Sequence, residues 1–182
     1  MDPLWNKKLE IIKKHGIDNA ILDLGCNIGD FSSYFVRNGY DVTGVDIDNE
    51  NLLIANSRGI HTKKCNLNLK LPMKSNSYPT IFALEIIEHL INPDNVIKEA
   101  HRLLKDGGKF YVSVPYFGLV KRTAISLFFF DDVFLYNGPH IRFFSEKSFR
   151  NILTKNGFKI LKIYKLGRFY PVYMDMLAVC SK

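Results

Sequence analysis

The stretch Ala20-Ile21-Leu22-Asp23-Leu24-Gly25-Cys26-Asn27-Ile28-Gly29-Asp30-Phe31 decides how this chain is read. Its opening run, Ala20 to Leu24, is almost continuously apolar, which marks a strand buried on both faces rather than one that wets alternate residues. Gly25 and Gly29 then predict a tight turn that a ligand can approach closely, since glycine has no Cβ. Phe31 to Val36 has helical spacing and stops at Asn38-Gly39, a helix-ending signal.

The same alternation continues outward. Strands are predicted at Asp41 to Ile47, Ile60 to Cys65, Thr80 to Leu84 and Lys109 to Val114, and helices at Glu50 to Ser57 and at about Asp94 to Leu104. Asn92 or Asp94 caps the last of these beside Pro93, and Asp106-Gly107-Gly108 ends it. A helix from Ser145 to Asn156 precedes two final strands, Phe158 to Tyr164 and Asp175 to Cys180. Their connection, Lys165 to Met174, is too short for a parallel crossover and predicts an antiparallel pair. Upstream, Pro3 to Lys14 reads as an amphipathic helix. The whole predicts one α/β domain over 1–182, a doubly wound seven-stranded sheet with helices on both faces.

The composition agrees. At 182 residues, 47% hydrophobic and 24% charged, the chain can fill one core, which excludes disorder and coiled coil. The net charge of +7 permits an acidic partner, but lysines such as Lys7-Lys8, Lys13-Lys14 and Lys63-Lys64 read as solvated faces. Cys26, Cys65 and Cys180 form no CxxC pair, as expected of a reducing, cytoplasmic setting. The N-terminus has no apolar signal segment. The longest apolar run, Ala124 to Phe130, falls well short of the roughly 20 residues that span a bilayer.

In doubly wound sheets ligands bind beyond the carboxyl ends of the strands, which points to the Gly25 turn. Asp46, twenty-one residues after Gly25 and at the end of the second strand, can accept both hydroxyls of a ribose. The spacing is G-x-x-x-G rather than G-x-G-x-x-G, with Asn27 where a second glycine would sit, so a pyrophosphate is not favoured. Asp23 would repel phosphate and pair with an amino group. A ligand that joins ribose, adenine and an α-amino acid fits these residues.

Here the sequence resembles the class I S-adenosylmethionine-dependent methyltransferases. Ile21 to Gly29 resembles the family's first motif, and Gly44-Val45-Asp46-Ile47 its second. Cys65-Asn66-Leu67, Ala83 to Leu90 and Leu104 to Lys109 fall on the later ones. His140-Ile141-Arg142-Phe143-Phe144-Ser145 resembles the type 11 and type 12 subgroups and the MetW-like methionine-biosynthesis proteins. The resemblance implies the strand order 3-2-1-4-5-7-6 and S-adenosylmethionine as cofactor. It places Asp23, Gly25, Cys26, Asn27 and Gly29 under the methionine portion, Asp46 on the ribose and Ile47 against the adenine. Asn66 and Leu67 would meet the adenine edge, and Leu84 and Glu85 the sulfonium end. Asn27 stands where glycine is common, and Asn66 where Asp is common.

Methyl transfer needs an acceptor aligned with the methyl carbon, and a base only when the acceptor must lose a proton. Glu85, Glu88 and His89 lie at helical offsets that share one face, and Glu88, His89 and His140 are the candidate catalytic residues. Together the triplet and His140 resemble the divalent-metal site of ubiquinone O-methyltransferases and small-RNA 2′-O-methyltransferases. The alternative is that Glu88 and His89 only cap their loop. The segment 116–140 is expected to choose the acceptor as an apolar lid, to form an oligomer contact, or to pack as a core helix. Trp5 reads as a packing anchor. The resulting expectation is a methyltransferase for a small-molecule acceptor. The alternatives are a cofactor-binding partner subunit without activity and a metal-assisted RNA methyltransferase, nucleic acid being less favoured because Lys121-Arg122 is a small basic patch.

Overall fold

A computed structural model describes residues 3–128, 130, 141–171 and 173–182. In chain order the elements are α1 (Pro3–His15), β1 (Ala20–Leu24), α2 (Ser32–Arg37), β2 (Asp41–Asp46), α3 (Asn49–Ser57), β3 (His61–Lys64) and β4 (Tyr78–Leu84). A 3-10 turn (Ile87–His89), α4 (Pro93–Leu103), β5 (Leu104–Pro115), α5 (Leu119–Phe128), α6 (Glu146–Lys155), β6 (Lys159–Leu166) and β7 (Asp175–Ser181) follow. The strands form one sheet in the order β3-β2-β1-β4-β5-β7-β6, as expected. Only β7 runs antiparallel, to both β5 and β6.

Local chemistry sets the helix starts. Asp48 accepts from the Glu50 and Asn51 N–H groups at the head of α3, and Asn92 accepts from Asn95 N–H ahead of Pro93 at the start of α4. Ser145 and Ser148 cap α6 reciprocally. One boundary differs from the sequence reading. Asp106-Gly107-Gly108 does not end α4, which stops at Leu103, but lies inside β5, where Gly107 takes a φ of 75° and the β4 pairing shifts register. Glycine supplies the left-handed residue that an irregular strand needs.

The sheet is covered on both faces, which explains its continuous apolar runs. Ile21, Phe82 and Tyr111 pack toward α1, α2 and α3, whereas Leu22, Ile81 and Phe110 pack toward α4 and α6. The three cysteines are free and buried. Among the described residues no helix is long and apolar enough to cross a membrane.

Candidate active site

The carboxyl ends of β1 and β2 meet at Gly25, whose N–H donates to the Val45 carbonyl at 2.8 Å, followed by Cys26 N–H to the same oxygen at 3.0 Å. This brings the turn beside Asp46, whose carboxylate three backbone donors then orient. Asn27 N–H reaches Oδ2 at 2.9 Å, and the Ile47 and Asp48 N–H groups reach Oδ1 at 2.7 and 3.1 Å. Gly25 has a φ of 79°, and a Cβ there would stand 2.5 Å from Ile86 Cγ1. Conformation and close approach both require glycine. Asn27 also lies in the left-handed region, at φ 49°, and its Oδ1 accepts from Ile28 N–H at 2.6 Å. Asparagine tolerates that region, so it can stand where the family commonly has glycine.

Asp23 is buried at the end of β1, where its Oδ2 accepts from Ser32 Oγ at 2.6 Å. Burial pushes this carboxyl up to about 6, against the Ser32 bond and aided by the Asp46 charge. Cys26 contributes backbone to the turn while its buried Sγ closes against Gly44, and burial raises its thiol far above the ordinary value. Gly29 lines neither of the two cavities beside this turn; it allows close packing on Ile60 and Ala55.

Two cavities flank this turn. One, of about 400 Å³, is bordered by Asp23, Asn27, Leu84 and Glu85 and walled by Trp5 and Phe31. The other, of about 240 Å³, is bordered by Ile47, Asn66 and Leu67. Gly25, Asp46, Ile86 and His89 line both, so the cavities meet at the Asp46 carboxylate. Asn66 Oδ1 already accepts from Asn68 N–H at 2.9 Å and from Asn68 Nδ2 at 3.2 Å. Trp5, expected to be a packing anchor, meets Phe31 edge-on at 4.9 Å and forms cavity wall.

The carboxyl end of β4 departs from the sequence reading. Glu85, Glu88 and His89 do not share a helical face, because Glu85 has a φ of 54° and only Ile87–His89 turn, as a 3-10 helix. Glu85 borders the larger cavity. Glu88 is fully buried, and neither of its carboxylate oxygens has a hydrogen-bond partner among the described residues. Burial and the Glu85 charge push Glu88 up to about 8. His89 Nε2 stands 3.8 Å from Glu88 Oε1. Among the described residues no group of three His, Cys, Asp or Glu is arranged to hold a metal ion. His140 lies outside the described residues, as does most of the later half of the 116–140 segment. The described part of that segment is mostly surface: α5 buries Ile125 and exposes Leu119, Val120, Leu127 and Phe128.

Sequence reasoning missed the group beneath Glu85. Lys8, assigned to a solvated face, is 3% exposed. Its Nζ donates to Glu85 Oε1 at 3.0 Å and to Ser113 Oγ at 2.9 Å, and stands 2.5 Å from Asp175 Oδ2. Ser113 Oγ in turn donates to Glu85 Oε1 at 2.6 Å. Burial disfavours the Lys8 charge, but Glu85 and Asp175 outweigh it and hold the ammonium pKa above its ordinary value. Burial and the Glu85 charge push Asp175 up to about 7. One signal was available: Lys8 is three residues after Trp5 and four before the buried Ile12, on the inward side of α1.

A doubly wound sheet in this order, with a glycine turn and a strand-end carboxylate between two joined cavities, defines the class I S-adenosylmethionine-dependent methyltransferase fold. Residues 5–163 match the family described as methyltransferase domain, and the chain belongs to that family. Ubiquinone biosynthesis O-methyltransferase of Nitrosococcus oceani is 30% identical over 114 residues, 58% of this chain and 48% of that protein. The chain thus spans about half the length of the curated relatives of that name that it matches. An uncharacterized protein of Methanocaldococcus jannaschii is 28% identical over 155 residues, covering 82% and 73%. The crystal structure of an S-adenosylmethionine-dependent methyltransferase from Mesorhizobium loti superposes with a TM-score of 0.75 at 17% identity, covering 98% of this chain and 97% of that one. The [4+2]-cyclase SpnF superposes equally well, with a TM-score of 0.75 at 16% identity over 98% and 80% of the two chains. The fold therefore does not fix the reaction by itself.

Proposed function

We propose that this chain binds S-adenosylmethionine across the two joined cavities and transfers its methyl group to the oxygen of a small-molecule acceptor. The observation that carries the reading is the meeting of both cavities at Gly25 and Asp46, with a buried, cation-seeking Asp23 at one end and apolar Ile47 and Leu67 at the other. In this reading Asp46 accepts the ribose hydroxyls, Asp23 pairs with the amino acid's ammonium, and the Gly25 to Asn27 backbone lies under the methionine portion. Ile47, Asn66 and Leu67 border the adenine, while Leu84 and Glu85 border the sulfonium end.

The bound cofactor supplies an electrophilic methyl carbon with a neutral thioether as leaving group. The protein's task is alignment and, for a hydroxyl acceptor, removal of a proton. His89 faces the larger cavity and can receive that proton, whereas Glu85 is held by Lys8 and Ser113 and Glu88 is too deeply buried to touch an acceptor. Relatives named for O-methyl transfer support oxygen as the receiving atom. A divalent cation is left out of this reading, because Glu85 is committed to Lys8 and Ser113 and the buried Glu88 lines neither of the two cavities.

The test is formation of S-adenosylhomocysteine from S-adenosylmethionine across a panel of phenols, catechols, amines and short RNAs. Turnover with a phenol or catechol is expected. Tight cofactor binding without turnover on any acceptor would overturn transfer in favour of a cofactor-binding partner. Turnover on RNA alone, with affinity falling steeply as salt rises, would overturn the small-molecule acceptor.

A further inference from the structure

The buried group at Lys8 is drawn from four separate elements. Lys8 comes from α1, Glu85 from the end of β4, Ser113 from β5 and Asp175 from β7, and no nearby sequence signal links them. Glu85 is the member that reaches solvent: its side chain keeps 35% of its exposure, onto the cavity it borders, while those of Lys8 and Asp175 keep 4% each. Glu85 also holds a left-handed backbone, a strained conformation for a residue with a long side chain that persists where the surroundings enforce it. The enforcement is visible, since Glu85 N–H donates to the Ser113 carbonyl at 3.1 Å and Oε1 takes both Lys8 Nζ and Ser113 Oγ.

We propose that Lys8 is a positioning residue for methyl transfer: its ammonium, shared by Glu85, Asp175 and Ser113, fixes the Glu85 carboxylate at the sulfonium end of the cavity, and the same anchor seats Trp5 of α1 in the cavity wall. The proposal rests on the S-adenosylmethionine reading above. A buried lysine is stable only when paired, and removal of one partner leaves the others uncompensated. The groups that face Glu85 are Lys8 from α1, Ser113 from β5, Asp175 from β7 and Glu88 from the 3-10 turn, and Lys121 on α5 acts on it and on Asp175 through its field. Without Lys8 the Glu85 and Asp175 carboxylates lose the cation between them, and Asp175, already raised by burial and the Glu85 charge, keeps its proton to higher pH and shares it with Glu85. Glu85 then presents less negative charge to the cavity until rising pH removes that proton.

S-adenosylmethionine carries the sulfonium charge and S-adenosylhomocysteine lacks it, so the ratio of their affinities reads the charge at Glu85 without any acceptor. Trp5, the only tryptophan, reports binding by its fluorescence. In the wild type the preference for the cation should rise by no more than a few-fold between pH 6 and 8.5, as Asp175 and Glu88 beside Glu85 lose their protons. In Lys8→Met it should fall about tenfold at pH 6 and recover toward pH 8.5. Should Lys8→Met not fold, Lys8→Arg and Ser113→Ala provide the measurement. The first keeps the charge on a longer, planar group, the second removes one hold on Glu85, and each should lower the preference by a few-fold. A ratio and pH dependence equal to wild type in the folded variants would reduce Lys8 to an anchor for α1 and overturn the proposal. Wild-type protein that binds neither compound would overturn the cofactor reading and this proposal together.

Discussion

The two halves of the site are built by different means. At the ends of β1 and β2 the polar groups that shape the cavity are backbone N–H donors of a short turn, and among the described residues Asp46 is oriented by the N–H groups of Asn27, Ile47 and Asp48 without help from another side chain. At the ends of β4, β5 and β7 the work falls to side chains, Lys8, Glu85, Ser113 and Asp175, that contact one another across the sheet. The first half is local, and Asn27 takes up its left-handed turn position with its own side chain accepting from Ile28 N–H. The second half balances buried charges, and a single uncompensated substitution there leaves an orphan.

The largest effect expected from this contrast is on the backbone-built half. Asp46→Ala removes the carboxylate where both cavities meet, and S-adenosylhomocysteine affinity measured by calorimetry should fall roughly 100-fold, about 2–3 kcal/mol. An unchanged affinity would break the comparison at its root. The side-chain half should instead show itself in the pH dependence of stability. Burial raises Glu88 to about 8 and Asp175 to about 7, so the folded chain holds protons that the unfolded chain has released. The stability these groups contribute is present below the ordinary carboxylate range and is lost as pH rises through 7 and 8. Glu88→Gln mimics the protonated form and should flatten that decline, with a gain on the order of 2 kcal/mol at pH 8.5 that vanishes below about pH 4, read from Tm by scanning calorimetry. The smallest effect belongs to Asp23, which must be ionised to pair with an ammonium. With its carboxyl near 6, S-adenosylhomocysteine affinity should drop about tenfold from pH 7 to pH 5, and Asp23→Asn should remove that dependence along with part of the affinity.

The legibility of the two halves in the sequence follows the same division. Ala20 to Gly29, Asp46 and the strand–helix alternation are legible with boundaries within about two residues, except the start of β5, since turns, caps and apolar runs are local properties. The misreadings lie where tertiary contacts override a local pattern. Glu85, Glu88 and His89 have helical spacing, yet Ser113 and Lys8 hold Glu85 in a left-handed conformation and break the helix before it starts. Lys7 and Lys8 are chemically identical neighbours, and the phase of α1 turns only Lys8 inward, to partners 77 and 167 positions away. Asp106-Gly107-Gly108 reads as a helix stop, but pairing with β4 draws it into β5.

By itself, the sequence determined the α/β sheet, the glycine turn of the first βα unit and the carboxylate that faces it, because each depends on residue types at short range. Only the tertiary structure decided which charges are buried together. Lys8, Glu85, Ser113 and Asp175 belong to four elements that the strand order 3-2-1-4-5-7-6 brings to one end of the sheet, and the free energy that keeps a lysine there comes from contacts that no local pattern encodes.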